Sequence, residues 1–125
     1  MADIAPIINK RIDPDDGSVI KATWNSLVTA NNVGVAASFI QFADRCVEVR
    51  GTFNGAIVTM QGSNGGTAYY TLTKPDGNQV VFNNAAGIAQ IVENPLYIRP
   101  NVTTVANNMA LTVDLVMRRA LTSRG

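Results

Sequence analysis

At 125 residues the chain fits one domain, and a chain near this length hides roughly two-thirds of its unfolded surface, enough for a real core. Only 15% of residues are charged, against about 25% in an average soluble protein, and the net charge of +1 sets up no field toward nucleic acid or anionic lipid. Histidine is absent and cysteine occurs once, at Cys46, which excludes histidine-based triads, an internal disulfide and an ordinary tetrahedral zinc set.

Residues 1–17 have neither a strand period nor a helical one. They carry Pro6 and Pro14 among Ile4, Ile7, Ile8 and Ile12. We read them as an extended arm, since four isoleucines are many for a solvated tail. Ordering such a segment costs on the order of 1–2 kcal/mol per residue in backbone entropy. Buried isoleucines return about 1.5–3 kcal/mol each, so the four are expected to bury against another chain, helped by strand addition at a sheet edge. No secretory apolar region follows Met1, and no apolar stretch approaches the roughly 18 residues of a membrane span. A soluble chain made in a cytoplasm, with no membrane or nucleic-acid partner, is the expectation.

The domain proper, residues 18–125, begins with a clear period of two: Ile20, Ala22 and Trp24 alternate with Lys21, Thr23 and Asn25. "VGVAASFIQFA" is more continuously apolar and reads as a central strand. "CVEVRGTF" alternates again, with Val47, Val49, Gly51 and Phe53 on one face. Asn54-Gly55 signals a hairpin, because a type I′ turn needs positive φ at both positions. "AIVTMQ" returns with Ala56, Val58 and Met60 together, and "GSNGG" makes the next turn. "TAYYTLT" is a strand with Ala68, Tyr70 and Leu72 facing one way; "KPDG" is a turn; "NQVVFN" is a short strand. "AAGIAQIVEN" fits one helical turn or a loop with a short strand. "PLYIRPNVT" is a strand bounded by Pro95 and Pro100, at an edge or ending at those prolines. "MALTVDLVMRR" closes the chain with Leu111, Val113, Leu115 and Met117 on one face. About eight short strands separated by turns make an all-β, jelly-roll-like β-sandwich carrying the N-terminal arm. Ser63, Asn64, Pro75 and Asp76 are the candidate residues on presented loops.

Sites for chemistry are few. "GSNGG" lacks the Gly-Lys-Ser/Thr ending and following helix of a phosphate loop. "DPDDG" fails the calcium-loop spacing, since Gly17 falls fifth and Trp24 twelfth counted from Asp13. Asp44, Glu48, Glu93 and Asp114 are the carboxylates from which a glycosidase pair would be drawn, and nothing in the sequence brings two together. Arg118, Arg119 and Arg124 are a small basic end. No catalytic residue, cofactor or metal is expected.

Two resemblances enter at "VTMQGSNGGTAYYTLT" and "NPLYIRPNVT". The first is to the discoidin-like (F5/8 type C) jelly roll and covers about a third of the chain. Gly62, Ser63, Asn64, Tyr70, Thr71, Leu72, Tyr97, Ile98 and Arg99 match its pattern. Gly65 replaces the usual aspartate, and Tyr70 stands where tryptophan is common. Its functional implication is sugar binding. The second covers most of the chain: the "VEVRGTFNGA" block running into "QGSN", the "YIRP" strand and the arginine ending are similar to small jelly-roll decoration or cement proteins of tailed-bacteriophage heads. That resemblance implies a non-enzymatic virion protein on the capsid surface, made in the host cytoplasm, with the major capsid protein as partner. A homo-oligomer is expected with it, a dimer before a trimer. The alternatives are a carbohydrate-binding module and a tail-tube or baseplate subunit.

Overall fold

The computed structural model describes residues 7–10 and 19–119, the first stretch as backbone only. Among the described residues there are nine strands and no helix: β1 (Ile7–Lys10), β2 (Val19–Val28), β3 (Asp44–Thr52), β4 (Ile57–Ser63), β5 (Tyr70–Thr71), β6 (Val81–Asn83), β7 (Gly87–Ile91), β8 (Tyr97–Thr104) and β9 (Ala110–Arg118). One sheet runs β1-β2-β9-β3-β7, antiparallel throughout. The other is built on β4. β8 flanks it from Ile57 to Ser63, so β5 and β6 share its opposite side. Residues 32–37 add an irregular outer row on β8, through Gly34 N–H to Pro100 O (3.0 Å) and Ala37 N–H to Ile98 O (2.8 Å). The order β2-β9-β3-β7 facing residues 32–37, β8, β4 and the β5–β6 pair is that of a jelly roll, an eight-strand double sheet in the general case. The expected fold class is found.

Alternation places the core. Ile20, Ala22, Trp24, Val47, Val49, Leu111, Val113, Leu115 and Met117 of one sheet form a single buried cluster with Val58, Met60, Ile98 and Val102 of the other. A bulge between Trp24 and Leu27, with Ser26 at φ 62°, adds one residue to β2 and turns Leu27 back inside. The Trp24 indole N–H, which needs a partner when buried, donates to Val35 O at 2.8 Å.

Four expectations change. Asn54 and Gly55 do adopt positive φ, 51° and 98°, but the strands they join belong to different sheets. The turn is a corner between layers, not a hairpin. "VGVAASFIQFA" is no central strand. It makes only isolated bridges outside β8, because Pro100 has no N–H to offer on that side and the ladder cannot become regular. β8 itself continues through Pro100 to Thr104, because β4 lies on its other side and loses no bond there. Tyr70 does not face the core with Leu72: its side is 71% exposed, while Leu72 is buried. The ambiguous "AAGIAQIVEN" becomes the edge strand β7.

The arm is also not free over its described part. Ile7 and Ile8, expected against another chain, lie in β1, whose backbone registers with Thr23 and Ala22 of the chain's own β2. The strand-addition bonds are made within the molecule. Ile4, Ile12 and the "DPDDG" stretch lie outside the described residues.

Candidate functional site

A cleft of about 470 Å³ opens between the β4–β5 connection and the β7–β8 connection, lined by Gly62, Ser63, Asn64, Gly65, Thr67, Ala68, Tyr70, Leu72, Glu93, Asn94 and Pro95. Local chemistry holds it in shape. Ser63 Oγ accepts the Gly66 N–H at 2.8 Å and closes the glycine-rich turn, with Gly66 at φ 85°. Asn64 Oδ1 accepts the Leu96 N–H at 3.1 Å and ties one loop to the other. Asn94 Nδ2 donates to Ile40 O at 2.9 Å, and the Glu93 carboxylate accepts the Thr73 N–H at 2.8 Å together with the Thr73 hydroxyl. Burial pushes the Glu93 carboxyl up, but the Thr73 hydroxyl and amide bonds outweigh it and hold it below the ordinary range.

Of the loop residues singled out from sequence, Ser63 and Asn64 line this cleft. Pro75 and Asp76 do not. They form the tip of the β5–β6 hairpin, where Gly77 N–H to Lys74 O (2.9 Å) and Lys74 N–H to Asn78 O (2.7 Å) close a type I turn with a glycine bulge at φ 89°. Asp76 braces that turn by accepting the Asn78 N–H at 2.9 Å, which lowers its pKa. Asn94 and Pro95 are cleft residues that sequence reasoning did not assign to a site; Glu93 entered it only as a carboxylate for a glycosidase pair, and Tyr70 only as a strand residue and a match to the discoidin-like pattern. The doubled tyrosine was a usable signal, because a period of two sends Tyr69 and Tyr70 to opposite sides. Tyr69 takes the sheet face, where the Arg99 guanidinium stacks over its ring at 3.7 Å and bonds Gln61 at 3.1 Å.

Charge divides between the sheets. β4, β5, β6 and β8 contain a single charged residue, Arg99. Lys21, Glu48, Arg50, Asp114 and Arg118 all belong to the five-stranded sheet. There Glu48 and Asp114 are direct register partners. Asp114 is 7% exposed. It accepts the Thr23 hydroxyl at 2.7 Å and pairs with Arg50. Burial raises its pKa, but the Thr23 and Arg50 bonds prevail and the net shift is downward. A glycosidase acid requires the opposite shift. Arg45 is fully buried at the start of β3, donating to Phe42 O (3.0 Å) and Phe39 O (2.9 Å). Its Nη1 has no partner, and burial pushes its pKa down to about 10. It pins the turn after residues 32–37. Among the described residues no cluster of acidic or sulfur ligands suits a metal ion, and no helix is long and apolar enough to cross a membrane.

No family model and no curated protein matches the sequence. Among solved structures, the K1 cleaved adhesin domain of Lys-gingipain from Porphyromonas gingivalis W83 aligns with a TM-score of 0.41 at 8% identity, over 94% of this chain and 85% of that one. A carbohydrate-binding module of Cellvibrio mixtus lichenase 5A, in complex with cellotriose, aligns with a TM-score of 0.27 at 9% identity, over 93% and 87%. Likenesses this loose carry no argument about function, and the jelly-roll assignment rests on the strand order itself.

Proposed function

We propose that this protein is a non-enzymatic structural subunit of a virion, a decoration or cement protein that docks on the major capsid protein at the surface of a phage head. The observation that carries the reading is the uncharged sheet. The centre of a protein–protein interface is depleted in charge and enriched in tyrosine and arginine. The sheet built on β4 fits that description: hydroxyl and amide side chains surround Tyr69, Tyr97 and one arginine, whose charge is already stacked and bonded. The absence of histidine from the chain and the lowered Asp114 carboxyl support a role without catalysis. Many copies on a lattice hold by effective concentration, so each contact can be modest. A homo-oligomer, with a dimer first, would add to that avidity.

Co-sedimentation of the full chain with purified empty heads tests the proposal. Asn101→Glu puts a new charge on the β8 strand of the uncharged sheet and is expected to weaken binding at least about tenfold, in the range of one desolvated, unpaired charge. Gln90→Glu, on the charged sheet, is expected to bind as the unaltered chain does. Failure of the unaltered chain to sediment with heads sinks the cement reading. Unchanged binding by Asn101→Glu moves the docking face elsewhere.

A further inference from the structure

We propose that the cleft between the 62–68 and 93–95 segments binds a neutral saccharide, with Tyr70 as the stacking platform. The cleft lies at one end of the sheet proposed to dock, where Gly62 and Ser63 of β4 and Tyr70 of β5 line it, and the inference does not depend on that docking.

The first argument is the unused valence around the cleft. Partner chemistry fixes both asparagine amides: the Leu96 N–H can only donate, so Asn64 faces it with Oδ1, and Ile40 O can only accept, so Asn94 faces it with Nδ2. Each brace therefore consumes one end of an amide and leaves the other, a donor at Asn64 and an acceptor at Asn94. Among the described residues, the hydroxyls of Thr67 and Tyr70 also make no bond within the chain, though both line the cleft. Donors and acceptors in close alternation suit a ligand whose hydroxyl groups serve as both.

The second argument is the aromatic. Tyr70 is 71% exposed at a strand position whose parity would bury it. Tyr70 lines the cleft together with the apolar Leu72, Pro95 and Ala68. An apolar floor with a few convergent polar groups is the ordinary composition of a small-molecule site, and about 470 Å³ falls within the usual size. The apolar face of a pyranose ring stacks on such a platform.

The third argument is charge. No lysine or arginine lines the cleft, so phosphate, sulfate and carboxylate ligands find no counter-ion. The one charge present, Glu93, has both oxygens occupied by Thr73. Between neutral and anionic ligands, the lining favours a neutral one. The cross-loop Asn64 bond and the Ser63 turn already hold the walls, so binding orders little of the protein.

The test is an NMR titration of the labelled full chain with the methyl glycosides of glucose, galactose, mannose and N-acetylglucosamine. Glucuronic acid and glucose 6-phosphate serve as charged counterparts. At about 10 mM, ten times a millimolar Kd, at least one neutral glycoside is expected to shift the Gly65 and Gly66 amides and the side-chain amides of Asn64 and Asn94. The charged counterparts are expected to bind at least about tenfold more weakly. Tyr70→Ala should lose binding with a nearly unchanged melting temperature, because the side chain is 71% exposed and outside the core. Thr67→Ala, also at an exposed position, should weaken binding in a second, independent way. The proposal is overturned if no neutral glycoside shifts these signals, if Tyr70→Ala binds as well as the unaltered chain, or if the charged sugars bind equally.

Discussion

Three glycines of one turn motif look interchangeable in sequence, and the structure ranks them. A Cβ on Gly62 would lie 2.5 Å from Pro95 Cγ, 2.8 Å from Leu72 Cδ2 and 2.9 Å from Pro95 Cβ. Gly62 sits in β4 between Tyr70 and Ile98, so the backbone cannot withdraw without breaking its register. The proline ring cannot bend away, and Leu72 is buried. Overpacking of this kind costs about 1–3 kcal/mol, less about 0.4–1 kcal/mol because alanine narrows the unfolded ensemble. Gly62→Ala should therefore destabilise by up to about 2.6 kcal/mol, roughly 1.3 kcal/mol at the middle of both ranges, and push apart two residues that line the cleft. A Cβ on Gly65 meets nothing within 4 Å, and its φ is not positive. Gly65→Ala keeps only the unfolded-state term and should stabilise by about 0.4–1 kcal/mol. Gly66, at φ 85° with Tyr97 Cε2 at 3.3 Å, should lose about 1–2 kcal/mol from left-handed strain. Trp24, the single tryptophan and fully buried, reports unfolding in urea by its fluorescence. The expected order of stability is Gly65→Ala, then the unaltered chain, then the other two variants. If Gly65→Ala lost as much as Gly62→Ala, the packing of Pro95 against β4 would be wrong, and the cleft with it.

Leu115→Ala should cost about 2–5 kcal/mol in the same assay, since Leu115 is fully buried on a strand paired on both sides; a loss under 1 kcal/mol, below that range, would contradict its place in the core. Asp114 and Glu93 have carboxyls held below their ordinary values by Thr23 and Arg50 and by Thr73. Their contribution is fully present above the unfolded pKa values of about 3.9 and 4.3 and is lost as pH falls through the lower folded values. Melting temperature should drop below about pH 4, and Asp114→Asn should flatten that drop; an unchanged slope would mean the Thr23 and Arg50 bonds do not act on this group. Deleting residues 1–17 removes β1 and uncovers the edge of β2, and is expected to leave a cooperatively folding domain that binds heads more weakly. A truncated chain that cannot fold would make β1 indispensable to the five-stranded sheet, and one that binds heads undiminished would rule out a contribution of the arm to docking.

What could be read in the sequence was whatever depends on one strand at a time. The alternation at Leu111 to Met117 and at Val47 and Val49 names core faces without knowledge of any partner, because the period of two is a property of the strand alone. The φ signs at Asn54 and Gly55 were legible for the same reason: they are local. What failed was relational. Asn54-Gly55 states that the chain reverses, but not whether the next strand stays in the sheet or crosses to the other. Pro100 warns of a missing donor, but only the position of β4 shows that the loss falls on the outer side, which leaves residues 32–37 as an irregular edge. Tyr70 has the parity of a core residue and is nevertheless exposed, at the first residue of the two-residue strand β5. The cleft is relational throughout. Its walls come from segments some thirty residues apart, as the Asn64–Leu96 bond measures, and no periodicity in either segment announces the other. The division of charge was the exception, present in the strand sequences themselves. It needed the strand order to become visible as one charged sheet and one uncharged sheet, and that order is what turns a low overall charge into a particular face with a partner to find.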